Sequence, residues 1–312
     1  MQAAGSFDYV IVGAGTAGCV LANRLTASGR HRVLLLEAGG EDRNMWIHIP
    51  LGYGRLFSNA KVNWLYQTAP EPELNGRQVM QPRGKVLGGS SSINGLLYVR
   101  GQPQDFDHWR QLGSAGWSFD DVLPYFRKAE DQARGADDLH GSGGPLAVSD
   151  VGAHPLCDAF IAAAEQAGFA RNTDFNGATQ EGAGYYQVTS RNGRRCSTAV
   201  GYLRPARRRP NLVVAADALT TRILFEGRRA VGVEYRQGSE TRVARAAGEV
   251  ILAGGAFGSP QLLQLSGVGP APLLQEHGIP VVADMPGVGT TCRIISRSAS
   301  ATAAASAAPS TT

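Results

Sequence analysis

The sequence predicts an α/β fold: a parallel sheet opened by a strand–helix–strand unit, decorated by inserted helices and extended by an antiparallel meander. Three observations carry this expectation. Residues Phe7 to Gly13 (FDYVIVG) are apolar and β-branched and stop at glycine, the pattern of a buried parallel strand. Ala17, Val20, Leu21 and Leu25 then recur at helical spacing within residues 16 to 28, and a second apolar run, Arg32 to Glu37 (RVLLLE), follows. Glycine supplies 40 of 312 residues, nearly double the usual ~7% and without a Gly-X-Y period, so the glycines mark sharp turns and close backbone approaches.

The elements follow in chain order. Between the first strand and the first helix lies Gly13-Ala14-Gly15-Thr16-Ala17-Gly18, a GxGxxG run. Gly13 permits the tight turn, Gly15 lets a pyrophosphate approach the backbone, and Gly18 allows close helix packing. The helix N-terminus adds free N–H groups and the positive end of its dipole. Glu37 closes the second strand, 24 residues after Gly13, where a carboxylate can accept from both hydroxyls of a ribose. Strand, helix, strand and terminal acid together indicate a dinucleotide site. The acid disfavours a 2′-phosphate and therefore NADP; FAD and NAD remain open at this point.

From Glu41 to Gly84 periodicity is lost, with Trp46, Tyr53, Phe57, Trp64 and Tyr66 among polar residues and prolines. This reads as a long excursion over the cofactor that could serve as a lid. Residues 119 to 133 and 154 to 168 read as amphipathic helices separated by a glycine-rich stretch at 141 to 144. Segments near 211 to 215, 219 to 225 and 230 to 236, with a turn at Glu226-Gly227, read as an antiparallel meander, and 249 to 253 (EVILA) returns to the buried-strand pattern. Ser259-Pro260 is a good N-cap and first-turn pair for a helix. After Gly289 the composition collapses to small polar residues that cannot offset their ordering entropy, so 290–312 is expected to be disordered.

Composition narrows the function. The formal charge is only +4, and the one dense basic run, Arg204 to Arg209, reads as a solvated loop, so no nucleic-acid partner is expected. Cys19, Cys157, Cys196 and Cys292 are far apart with no C-x-x-C, which indicates neither a metal site nor a disulfide framework. The N-terminus has no basic, cleavable apolar stretch and no run approaches eighteen apolar residues, so no transmembrane segment is expected and the reading is cytoplasmic.

The residues after Glu37 separate FAD from NAD. Glu37-Ala38-Gly39-Gly40 resembles the second-strand ending of the glucose-methanol-choline (GMC) flavoprotein oxidoreductases, and Gly84 to Gly95 (GKVLGGSSSING) is similar to that family's first signature, continuing through Tyr98 and Gly101 to Asp107. The second signature is matched by Gly255 to Leu263 (GAFGSPQLL), closing with Ser266 to Gly269. Asn63 to Tyr66, Arg194 to Ala199 and Pro286 to Gly289 add support, so the resemblance covers residues 6 to 289 and is nearest to choline dehydrogenase-like members. It implies a Rossmann-like FAD-binding domain over 1–289, with part of the substrate-domain insertions and most of the substrate domain missing.

It also implies hydride transfer from an alcohol CH–OH group to flavin N5, with the electron acceptor unidentified. Some members attach FAD through a histidine that corresponds to Ile93 here, so non-covalent FAD is expected. A meander residue that contacts adenine in the family corresponds to Thr220, where valine is commoner. Fingerprint and resemblance together assign to FAD the residues Gly13, Gly15, Thr16, Ala17, Gly18, Glu37, Ala38, Val86, Gly88, Gly89, Ser90, Asn94, Gly95, Leu96, Leu97, Thr220, Gly254 and Gly255.

The family's catalytic histidine lies in its C-terminal half, and none of His31, His48, His108, His140, His154 or His277 sits in that motif. No catalytic residue is therefore expected in this chain. An inert FAD-binding fragment is the alternative reading, with a hydroxynitrile-lyase-like member less favoured. Where family members continue with Asn-Leu-Gln-Asp-His, this chain reads Thr290-Thr291-Cys292-Arg293-Ile294-Ile295-Ser296-Arg297. Under the standard code those residues can be written ACA ACC TGC AGG ATC ATC TCC AGA, and the same letters read from the third base as Asn-Leu-Gln-Asp-His-Leu-Gln. The tail is accordingly expected to be a frameshift product, arising in the gene or in its sequencing.

Overall fold

In the computed structural model, which describes residues 2–290, strand β1 (Gln2–Val12) lies inside a six-stranded sheet. Helix α1 (Thr16–Leu25) follows, and strand β2 (Val33–Leu36) returns parallel to β1, with Tyr9 opposite Val33 and Val12 opposite Leu36. The βαβ unit is as predicted, but the helix stops short of residue 28. The Thr26 hydroxyl donates to the Ala22 carbonyl, offering the backbone an alternative to another turn.

Three further helices follow, α2 (Pro103–Gln111), α3 (Phe119–Ala129) and α4 (Pro155–Gln166), and none of their residues belongs to the two cores of the six-stranded sheet. Helix α3 is shorter than the expected 119 to 133. Residues Glu130–Gln132 instead pair in parallel with Leu146–Val148, and the fully buried Glu130 carboxylate is held by Arg100 and His140. The aromatic excursion folds as short helical turns, among them Met45–His48 and Tyr53–Leu56, around a small core of Ile47, Leu56, Val62, Val86 and Ile93.

The expected meander is displaced by one strand. Residues of the 211 to 215 segment form β3 (Leu212–Ala215), which pairs parallel with β2, Val33 opposite Leu212. The meander proper is β4 (Ala218–Glu226), β5 (Arg229–Gln237) and β6 (Glu240–Leu252), and β6 absorbs the predicted strand 249 to 253. Strand β6 pairs antiparallel with β5 near its start and parallel with β1 along its length. Alternation in a five-residue run reports which side chains are buried but not the direction of the partner.

The sheet order is β4-β5-β6-β1-β2-β3. Strands β3 and β4 stand at opposite ends of that order, yet only Ala216 and Asp217 join them. The three Cα–Cα steps from Ala215 to Ala218 span at most about 11 Å, far less than the width of six strands, so the meander must curl back over the sheet. Its Ala218, Ile223, Val233 and Tyr235 accordingly share one core with Val10, Val12, Leu34 and Leu36. Ile11, Val33 and Leu35 point to the other face, where they pack with Cys19 and Ala22 of α1 and with Tyr202 and Leu203.

Helix α5 (Gly255–Leu265) begins at Gly255, so Ser259-Pro260 lies inside it rather than capping it. Only Ala253 and Gly254 separate β6 from the helix; Gly254 is the N-cap, without a side-chain cap bond, and Gly255 turns at φ +83°. Arg204, Arg207 and Arg208 of the basic run are exposed, as expected, but the run is also tied to the fold: Arg204 pairs with Asp42, Arg207 with Glu41, and Arg209 donates to the Asn23 carbonyl and the Thr26 hydroxyl. Among the described residues no helix is long and apolar enough to cross a membrane. Residues 291–312, which hold nearly all of the expected frameshifted tail, lie outside the described residues.

Candidate cofactor site

The carboxyl ends of β1, β2 and β6 open into a cleft of about 810 Å³, within the range of ligand sites. Its floor is made by backbone rather than side chains. Gly13 turns at φ +99°, its N–H donating to the Leu36 carbonyl, and a Cβ there would lie 2.5 Å from the Ala253 carbonyl oxygen. Gly15 is the N-cap of α1 and no side chain caps the helix, so its first N–H groups open toward the cleft at Gly15, Thr16 and Ala17. The 3-10 turn Gly89–Ser92 closes the opposite side: Gly89 sits at φ +53° and a Cβ on it would be 2.7 Å from the Gly15 Cα.

Glu37 stands at the end of β2 with 5% exposure. Its carboxylate accepts from the Ala14 N–H at 2.8 Å and the Gly39 N–H at 2.9 Å. Burial raises its pKa to about 7 against those two hydrogen bonds and the charge of Lys85. Each carboxylate oxygen retains acceptor capacity for a further donor. On β4, the Thr220 hydroxyl oxygen is buried without a hydrogen-bond partner, and Thr220 lines the same cleft.

Eleven of the assigned residues meet at this cleft: Gly13, Gly15, Thr16, Ala17, Glu37, Ala38, Gly89, Ser90, Thr220, Gly254 and Gly255. The others do not line it. Gly18 packs beneath, tight against the Gly13 carbonyl and the Leu35 side chain, as its helix-packing assignment requires. Val86 is buried in the small core beside Ile93, and Gly88 donates its N–H to the Ala14 carbonyl at 2.8 Å. Asn94, Gly95 and Leu97 are exposed beyond the turn, and Leu96 is buried at a left-handed φ of +63°.

The cleft also recruits residues that the glycine patterns do not single out. Trp64 stacks on Tyr66 with centroids 5.8 Å apart, and Tyr66 meets Phe257 edge-on at 5.9 Å. Lys85 lies over Trp64 and Arg83 over Phe257, at 4.8 and 4.6 Å. The clustering of aromatics in the excursion was a visible signal for Trp64 and Tyr66. Arg83 carried none, because its partner Phe257 is 174 positions away.

No described histidine lines the cleft. His31 packs edge-on to Tyr9, His48 bonds the Asp42 carbonyl, His140 lies between Glu130 and Asp174, and His154 caps α4. Among the described residues no cluster could hold a metal ion.

Comparison with known proteins gives a consistent result. The model of the family described as GMC oxidoreductase matches residues 7–292. An oxygen-dependent choline dehydrogenase of Pseudomonas putida is 52% identical over 291 residues, covering 91% of this chain and 52% of the relative. Among solved structures, pyridoxine 4-oxidase from Mesorbium loti superposes with a TM-score of 0.86 at 35% identity, over 89% of this chain and 55% of that one. An FAD-dependent oxidoreductase from Chaetomium thermophilum gives a TM-score of 0.84 at 33% identity, over 90% and 51%. The chain thus spans about half the length of the relatives it matches.

Proposed function

Because the chain belongs to the GMC oxidoreductases, we propose that its cleft holds FAD non-covalently and that it is the FAD-binding portion, residues 1–289, of a choline dehydrogenase-like enzyme acting on alcohols. The observation that carries this reading is the convergence on one cleft of bare glycine backbone, an uncapped helix N-terminus, and Glu37 with the unpartnered Thr220 hydroxyl. These groups suit the parts of the cofactor in turn. The α1 N–H groups would hold the pyrophosphate, Glu37 would accept from the ribose hydroxyls, and Thr220 would meet the adenine.

When bound, FAD supplies the hydride acceptor for alcohol oxidation. The chain's own residues bind and orient it. The Trp64, Tyr66 and Phe257 rings would cover part of the cleft and limit water, acting as the lid that the excursion suggested. Non-covalent attachment is supported by Ile93, a 1%-exposed aliphatic side chain that offers no atom for a flavin bond. The reading is tested by reconstituting the chain with FAD and precipitating it with acid: a flavin spectrum and release of the flavin into the supernatant are expected. Yellow colour retained in the pellet would overturn non-covalent attachment, and failure to bind FAD would overturn the assignment of the cleft.

A further inference from the structure

Arg195 is among the largest fully buried side chains of the molecule, at 2% exposure, and it forms none of the ion pairs among the described residues. It lies on the short strand Arg194–Arg195, paired with Ser190–Arg191. Its Nε donates to the Ile47 carbonyl at 2.7 Å, Nη1 to the Ser91 carbonyl at 3.1 Å and to Asn94 Oδ1 at 2.6 Å, and Nη2 to the Asn94 carbonyl at 2.8 Å. Every acceptor is neutral. A buried cation satisfied only by neutral oxygens is costly to desolvate and keeps its field.

The same contacts decide the orientation of Asn94. Its Oδ1 also accepts from the Leu96 N–H at 3.1 Å, so two donors converge on the oxygen. The amide nitrogen, a donor only, is therefore turned away from Arg195, on a residue that is itself exposed. The turn just before it contributes Gly89 and Ser90 to the cleft.

We propose that Arg195 is a positioning residue for the flavin: it fixes the Asn94 amide with its N–H groups outward and sets an unneutralised positive charge behind the loop Ser91–Leu97. This inference rests on the proposed FAD reading and on the assignment of Asn94 to Leu97 to the cofactor by resemblance; the structural support is that this loop continues directly from Gly89 and Ser90 in the cleft wall. A positive charge there favours the electron-rich, reduced state of the ring and raises its reduction potential. Burial draws the Arg195 pKa down to about 10, so the charge is present at neutral pH.

The experiment loads FAD into the wild-type chain and into R195K, R195Q and N94D, and measures thermal stability, FAD affinity and the midpoint potential of the bound flavin. R195K keeps the charge without the planar fork, R195Q removes the charge, and N94D neutralises it with a carboxylate against the guanidinium. The expected result is a potential that follows charge: close to wild type in R195K and more negative in R195Q and N94D. A purely structural arginine would lower the stability of both Arg195 variants and leave the potential of bound flavin unmoved. Equal potentials across the set overturn the inference while leaving the cofactor reading intact. Should neither Arg195 variant fold, an unchanged potential in N94D overturns it. Absence of FAD binding by the wild-type chain overturns the cofactor reading and this inference with it.

Discussion

A carboxylate with both oxygens already bonded to backbone N–H groups and almost no contact with water is held in place but expensive to ionise, and Glu37 is in that position. Its pKa of 4.5 in the unfolded chain rises to about 7 in the folded one, chiefly through burial. Between those two pH values the folded chain binds a proton that the unfolded chain does not. The resulting stabilisation is complete below pH 4.5 and is lost as pH rises through 7, on the order of 3 kcal/mol in all. Denaturant unfolding at pH 4.5 and 7.5 should show the wild-type chain losing about this much relative to Glu37→Gln, and a constant difference would mean that Glu37 is not desolvated. Ribose hydroxyls donate to the ionised form, so FAD affinity should rise with pH up to about 7 and level off above it. Glu37→Gln should weaken FAD binding by about 1.5 to 3 kcal/mol, the size of charge-assisted hydrogen bonds, and titration calorimetry would show whether it does.

At the scale of elements, the site exists because three chain segments meet without side chains between them: the β1–α1 turn, the Gly89 turn and the β6–α5 junction. Gly89→Ala forces a left-handed residue to carry a Cβ 2.7 Å from the Gly15 Cα. It should destabilise the chain by roughly 1–3 kcal/mol through backbone strain alone, with the steric contact adding to that. Gly29→Ala is the control, since Gly29 is also left-handed, at φ +74°, but a Cβ there meets nothing within 4 Å. Equal FAD affinity in the two variants would show that the Gly89 turn does not shape the cleft. These local features were legible in the sequence because GxGxxG and the paired glycines encode a turn and its contact within a few residues. What lay beyond reach depended on distant partners. The direction of β3 is set by β2, the end of α3 by Arg100 and His140 drawing in Glu130, and the place of Arg83 by Phe257. Asn94 to Leu97 were assigned to the cofactor from the signature, yet within the described residues they stand outside the cleft, where residues distant in sequence hold two of them, Arg195 at Asn94 and Thr189 at the Leu96 carbonyl.

For the molecule as a whole, the question is what a chain with this cleft and half the length of its relatives can do. Binding and turnover place different demands on it. Binding needs pyrophosphate, ribose and adenine contacts, and on the proposed reading the residues that would make them all line one cleft. Oxidation of an alcohol also needs a base within hydrogen-bond reach of the hydroxyl proton, a role worth roughly a hundred- to ten-thousand-fold in rate. Every described histidine is away from the cleft, and four of them are engaged with Tyr9, Asp42, Glu130 and Asp174, or the start of α4. The carboxylate that does line the cleft, Glu37, is bonded to two backbone N–H groups and, on the proposed reading, faces the ribose rather than the alcohol. The FAD-loaded 312-residue chain should therefore bind flavin yet show no oxidation of choline or a panel of primary alcohols with an artificial dye acceptor, under conditions where a full-length choline dehydrogenase relative is active. Joining the chain to the segment that such a relative carries after the stretch matching residue 289 should restore dye reduction if, as the family resemblance implies, the missing base lies in that segment. Turnover by the unextended chain at a rate comparable with the extended one would show that a proton acceptor within residues 1–289 had been overlooked.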